Sequence, residues 1–174
     1  MSNVADNFRR VDGKSNKVIS KARIVSMVDD SPDTSMLGEY SNTPGPFAID
    51  RERLGDCGSS HEYTYFNPCY QNYKGLSDRT IKKYCKKDYE RMESLNNGNW
   101  YFMGIWAECT YTINGVIQKL SSGGLWGIDS DAGDGYIKEI EGEQYAELVE
   151  IVKSLGLEGL PSFEDMERKG VKQC

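Results

Sequence analysis

Residues 99–113, NWYFMGIWAECTYTI, constrain the fold more than any other segment of the chain. They are rich in the aromatic and β-branched side chains that favour strands, and Asn114-Gly115 follows them directly. An Asn-Gly pair between two such runs is typical of a type I′ turn, whose twist matches that of antiparallel strands. We therefore expect a hairpin that returns along Val116–Leu120, with Ile113 opposite Val116.

Periodicity and turn residues predict the remaining elements. Three further strands are expected over Val18–Val28, Glu62–Phe66 and Leu125–Ile128. Two amphipathic helices are expected, one from the N-cap Ser77 to the stop at Asn97-Gly98 and one over about Tyr136–Leu155. Together these predict an α+β fold, with a mostly antiparallel sheet of about four strands and both helices packed on one face.

The same patterns predict how the chain is divided. A single domain is expected over residues 17–157, between a flexible N-terminal arm (1–16) and a charged, loosely attached C-terminal tail (158–174). Residues 34–60 contain several Gly and Pro breaks and are expected to form a long structured loop. Loops of this length are usually functional or contain small elements that periodicity does not reveal.

Composition excludes several classes of protein. Of 174 residues, 38% are hydrophobic and 11% aromatic, enough for one ordinary core and too many for low-complexity disorder. No run approaches the roughly 18 apolar residues of a membrane-spanning helix, and the N-terminus lacks the apolar centre of a secretory signal. Five cysteines, an odd number, favour reduced thiols. A cytoplasmic location and no membrane partner are expected.

Acidic residues are concentrated late in the chain. Residues 129–167 contain twelve acidic residues and two lysines, within a net charge of −6 for the whole chain. Four glutamates of the second predicted helix fall within about 80° of one another, opposite its apolar stripe. The residues predicted to bind a positively charged partner are Asp129, Asp131, Asp134, Glu139, Glu143, Glu147 and Glu150. An acidic face that only keeps the protein in solution would use the same residues.

Basic residues are concentrated on the first predicted helix. The residues predicted to contact nucleic acid are Arg79, Lys82, Lys83, Lys86 and Lys87. Lysine and arginine on one helix face suit the phosphate backbone. An ordinary solvated helix face is the alternative, because both residue types are good helix formers.

Two carboxylates interrupt otherwise apolar patterns. Asp88 lies in the apolar stripe of the first helix, and Glu108 lies in the long strand. A pair of carboxylates in a cleft is one arrangement for general acid and base catalysis. The alternative is that each is hydrogen-bonded within the fold, for which tyrosine hydroxyls are plentiful. No nucleotide-binding or hydrolase motif is present, so catalysis stays an open alternative.

Metal-binding patterns are not matched. One set of side chains offers zinc-type ligands, Cys57, His61, Cys69 and Cys85, but its spacing fits no zinc finger or ribbon. The segment Asp129–Gly135 starts like a calcium-binding loop, yet Gly133 replaces an acidic ligand and Asp134 stands where glycine is needed. We expect no metal and no cofactor.

Four blocks of the sequence resemble a known group of proteins. They are LGEYSNTPGPFAIDRE, EYTYFNP, KDYERMESLNNGNWYFMGIWAE and SGGLWGIDSDAGDGYIKEIEGEQYAEL, which occur in this order between about Ile24 and Leu157. They are similar to a family of small proteins from phages and other bacterial mobile elements. The chain also resembles type II anti-CRISPR proteins, which inhibit Cas9.

The resemblance implies a function for the charged surfaces. It implies a non-enzymatic anti-defence protein in the cytoplasm of a bacterial host, binding a basic nucleic-acid-handling protein, namely Cas9 or its guide-RNA complex. The acidic residues would provide the main contact, and the basic helix a secondary contact with nucleic acid. Two alternatives remain open: a nucleic-acid-binding accessory protein that uses helix 79–91, and a small enzyme that uses Asp88 or Glu108.

Overall fold

The computed structural model describes residues 18–51 and 62–170. The predicted hairpin turn at Asn114-Gly115 is present. Both turn residues have a positive φ, 50° and 81°, as a type I′ turn requires. The turn joins strand β5 (Phe102–Ile113) to strand β6 (Val116–Ser121). Ile113 pairs with Val116, which confirms the predicted register.

The larger sheet has five strands and is mixed. Besides β5 and β6 it contains β1 (Ile19–Val28), β7 (Leu125–Asp129) and β8 (Glu167–Lys169). The order is β6-β5-β1-β8, and β7 also pairs with β5. Strands β5 and β6 are antiparallel, whereas β1 and β8 are parallel.

A smaller antiparallel sheet lies in the segment predicted as a long loop and in the strand that follows it. It consists of β2 (Gly38–Ser41), β3 (Ile49–Asp50) and β4 (Tyr65–Pro68), in the order β2-β4-β3. Gly38 has a φ of 141°, and a Cβ there would meet the backbone oxygen of Asn67 at 2.3 Å. Only glycine permits this close approach of the two strands.

Both predicted helices are present. Helix α1 (Asp78–Asn96) follows the predicted N-cap Ser77, whose hydroxyl accepts a hydrogen bond from the backbone N–H of Thr80. Helix α2 (Asp134–Ser154) begins two residues before its predicted start. No helix in the described part of the chain combines the length and apolarity needed to cross a bilayer.

The predicted α+β class is therefore confirmed, but the sheet arrangement differs in detail. The structure has two sheets where one of about four strands was predicted, and the larger sheet has five strands with a parallel pair. The added strands β2, β3 and β8 have at most four residues. Strands so short show no alternation that a sequence pattern can detect.

The described residues form two compact units. The α2 unit consists of residues 18–26, 105–125 and 137–170, and the α1 unit of residues 27–51, 62–104 and 126–136. The described part of the predicted C-terminal tail belongs to the α2 unit, because β8 pairs with β1. The predicted N-terminal arm lies outside the described residues.

Each unit has its own core. The largest fully buried side chains of the α2 unit are those of Ile24, Ile105, Cys109 and Leu148. In the α1 unit, Phe66 of β4 is completely buried against Tyr89 and Met92 of α1, and four partly buried residues surround this group: Leu37, Tyr40, Ile49 and Leu95. The apolar stripe predicted for α1 thus covers the smaller sheet.

Two glycines allow a test of local packing. A Cβ at Gly104 would lie 2.4 Å from the indole ring of Trp126, whereas a Cβ at Gly142 in helix α2 would meet no atom within 4 Å. We expect Gly104→Ala to lower the free energy of unfolding by about 1–3 kcal/mol. We expect Gly142→Ala to raise it by up to about 1 kcal/mol. Urea denaturation of both variants measures the difference, and equal effects would contradict this description.

Candidate functional site

Four glutamates form an exposed strip along helix α2. This acidic face consists of Glu139, Glu143, Glu147 and Glu150, all of which are exposed. At 100° and 1.5 Å per residue the four lie within about 80° of one another and span roughly 16 Å along the axis. Their side chains therefore point in similar directions, as the sequence predicted.

The acidic face is only partly satisfied by its own chain. Glu147 accepts a hydrogen bond from the backbone N–H of Gly123 (2.9 Å), and Glu150 pairs with Lys153 (2.8 Å), both side chains being highly exposed. Such exposed pairs contribute little free energy. Glu139 and Glu143 make no ion pair or hydrogen bond through their side chains with the described residues. Two carboxylates are thus available to a cationic partner.

The aspartates that precede α2 are placed differently. Asp129 and Asp131 both accept hydrogen bonds from the guanidinium of Arg91, at 2.9 and 2.6 Å. The guanidinium also lies 3.5 Å from the centre of the Trp100 ring, and its hydrogen bond to Asp131 lowers the pKa of that carboxyl. Both of these aspartates, which were predicted to bind a partner, therefore already pair with a cation of their own unit. Asp134, the first residue of α2, is exposed.

The basic residues of α1 form a second charged surface. This basic face consists of Arg79, Lys82, Lys83, Lys86 and Lys87, all exposed. Within it Lys86 pairs with Glu90 at 3.5 Å, a weak contact between exposed side chains. The other four cations make no ion pair with the part of the chain that is described. Their charge therefore faces solvent along a little more than about two turns of helix.

Asp88 interrupts the apolar stripe of α1 because it binds a tyrosine. Its carboxylate is buried and accepts the hydroxyl of Tyr73, with oxygen–oxygen distances of 2.8 and 2.9 Å. Burial raises the pKa of Asp88, and this hydrogen bond offsets only part of that effect. The residue has the hydrogen-bonded role that was the alternative to catalysis.

Glu108 is buried in β5 with three donors around it. Arg23 of β1 donates at 2.5 Å, Trp106 at 2.9 Å and Lys119 of β6 at 2.7 Å. Burial by itself would raise the pKa of Glu108, but the donors Lys119, Trp106 and Arg23 outweigh it and hold that pKa below its ordinary value. The carboxylate of Glu108 therefore stays ionised and forms structural ion pairs with Arg23 and Lys119. An anion held in this way is a poor proton donor.

Asp88 and Glu108, the two carboxylates weighed for acid–base catalysis, both have hydrogen-bond partners in the described part of the chain. Each carboxylate is already engaged by partners from its own unit.

Only two of the four residues weighed as metal ligands, Cys69 and Cys85, lie in the described part of the chain. Cys57 and His61 lie outside the described residues, while Cys69 donates to the side chain of Asn72 and Cys85 is buried in α1. Among residues 18–51 and 62–170, no three His, Cys, Asp or Glu side chains are placed to hold a metal ion.

Sequence reasoning missed a partly buried cluster of polar side chains in the α1 unit. The hydroxyl of Tyr40 donates to Glu93 at 2.5 Å and accepts from Asn96 at 2.7 Å. The guanidinium of Arg51 lies 4.7 Å from the Tyr40 ring centre and donates to the carbonyl of Tyr63. Burial raises the pKa of Tyr40, and Glu93 adds to the rise. No local spacing links these residues, because they come from separate segments.

Comparisons of the chain with models of protein families, with curated proteins and with solved structures found no significant match.

The cluster around Glu108 makes a testable contribution to stability. Since its pKa is lowered in the folded protein, the ionised carboxylate stabilises the fold above its ordinary pKa of about 4.3. That stability is lost as pH falls through the lower, folded-state pKa. We expect Glu108→Gln to lower the free energy of unfolding by about 1–3 kcal/mol at pH 7. Urea denaturation at several pH values should show this difference shrinking below pH ~4; a difference that does not change with pH would contradict it.

Asp88 should behave in the opposite way. Because the pKa of Asp88 is raised in the folded protein, protonation of this carboxyl stabilises the fold. This stabilisation is complete below the ordinary pKa of about 3.9 and is lost as the pH rises through the folded-state pKa. We expect Asp88→Asn, which keeps an acceptor for Tyr73, to be at least as stable as the wild type at pH 7. Urea denaturation at several pH values should show that any difference in the free energy of unfolding between Asp88→Asn and the wild type disappears near pH ~4. A variant less stable than the wild type at every pH would refute the assignment.

Proposed function

We propose that this protein is a non-enzymatic inhibitor that binds a basic surface of a nucleic-acid-handling nuclease through the acidic face of α2. The supporting observation is that four exposed glutamates share one side of this helix, and that Glu139 and Glu143 have no counterion among the described residues. A positively charged groove that normally holds a nucleic-acid backbone offers the complementary charge.

The energetics of the helix favour a partner. Like charges at i,i+4, as between Glu139, Glu143 and Glu147, weaken a helix by a few tenths of a kcal/mol per pair. A cationic surface would remove this repulsion and gain several charge–charge contacts.

The resemblance to phage and mobile-element proteins supplies the expected target. It points to Cas9 or its guide-RNA complex in the cytoplasm of a bacterial host. Inhibition would follow from occupation of a nucleic-acid channel and would need one inhibitor molecule for each nuclease.

A cleavage assay tests the proposal. The intact protein is titrated into a Cas9–guide RNA complex across the one-to-one point, and cleavage of target DNA is measured. We expect cleavage to stop near equimolar protein. The double variant Glu139→Lys/Glu143→Lys should need roughly tenfold more protein or greater, because it places cations against a cationic groove. The side chains of Glu139 and Glu143 make no hydrogen bond or ion pair with the described residues, so the double variant should keep the fold.

Glu158→Lys/Glu164→Lys is the matched control. Both residues are exposed and belong to the α2 unit, and the change in net charge is identical. We expect this variant to inhibit like the wild type. Inhibition well below equimolar protein would indicate an enzyme, and equal inhibition by both double variants would exclude the acidic face.

A further inference from the structure

The basic face of α1 is bordered by an exposed aromatic ring. Tyr84 is 37% exposed and lies one helical turn before Lys87, whose ammonium is 5.9 Å from the ring centre. Lys83 directly precedes it in the helix. An exposed ring with Lys87 beside it therefore lies at the border of the basic face.

The Tyr84 ring is held in place from within the α1 unit. It stacks on the ring of Tyr73, with centroids 4.9 Å apart and planes inclined by 20°. Tyr73 is in turn fixed by its hydroxyl, which donates to the buried Asp88. Asp88, although it interrupts the apolar stripe of α1, therefore orients the ring of Tyr73, on which the exposed ring of Tyr84 stacks.

We propose that the basic face and Tyr84 together bind single-stranded nucleic acid. Exposed cations along the helix would contact successive phosphates, and an unpaired base would stack on Tyr84. Sites for single strands generally combine a cationic path with aromatic rings, because every base has a π face. Duplex bases are already stacked on one another, so a duplex would meet only the cations.

This binding goes beyond the proposed function and uses a different surface. The acidic face belongs to the α2 unit, whereas Tyr73, Tyr84 and the basic face belong to the α1 unit. Either activity can fail without the other. The variant Glu139→Lys/Glu143→Lys should therefore keep the nucleic-acid affinity of the wild type or exceed it slightly through its altered net charge.

Fluorescence anisotropy of labelled 20-mers tests the inference. Oligothymidylate and oligouridylate are the single-stranded probes, with a 20-base-pair DNA duplex and polyaspartate as comparison ligands. We expect both single strands to bind more tightly than the duplex, and no competition by polyaspartate. Tyr84→Ala should weaken single-strand binding about 5- to 100-fold, while Tyr84→Phe, which keeps the ring, should bind like the wild type.

Matched variants separate the ring from the charge. Tyr136→Ala removes another tyrosine, 50% exposed, and should change nothing. Lys83→Gln should reduce the slope of log K against log salt by about 0.7, whereas Lys138→Gln on α2 should leave that slope unchanged.

Tyr73→Ala tests the support beneath the ring. It should weaken single-strand binding while leaving duplex binding unchanged, whereas simple loss of folded protein would reduce both together. The inference is overturned if the wild type binds no oligonucleotide at low salt, if Tyr84→Ala binds like the wild type, or if the duplex binds as well as the single strands. Effective competition by polyaspartate would overturn it in favour of an acidic protein partner.

Discussion

A buried carboxylate in a sheet is costly unless cations compensate its charge, and Glu108 is contacted by one cation from each neighbouring strand. Arg23 of β1 and Lys119 of β6 both bind it within β5, where Glu108 is only 3% exposed. Removing either cation would leave a buried charge without full compensation, which costs far more than the intact cluster contributes. The order β6-β5-β1 and the pairing of Thr110 with Lys119 satisfy this requirement.

Charge is handled differently on the two helices. Arg91, the last cation of α1, pairs with Asp129 and Asp131 and lies on the Trp100 ring, so its charge is already compensated within its own unit. The cations before it face solvent, as do the glutamates of α2. Charged residues with similar spacing in the sequence thus differ in role. Some pair with other residues of their own unit and others face solvent, and only the contacts in the structure distinguish the two.

Sequence patterns predicted the long elements and their exposed faces because these depend on local periodicity. The β5–β6 hairpin, the N-cap at Ser77 and the four glutamates of α2 all follow from neighbours in the chain. The smaller sheet, β8 and the Tyr40–Glu93 hydrogen bond depend on residues far apart, which periodicity cannot relate. For the same reason the sequence alone does not reveal that Arg91 pairs with Asp129 and Asp131.

The parallel pairing of β1 with β8 has a consequence for how the molecule is made. The two strands are separated by most of the chain, so during synthesis the outer edge of β1 stays without its partner until Glu167–Lys169 has emerged. Unpaired strand edges are templates for association with other chains, and contacts between distant segments form slowly. A nascent molecule halted shortly before β8 would therefore keep an unpaired edge on β1 that can associate with other chains.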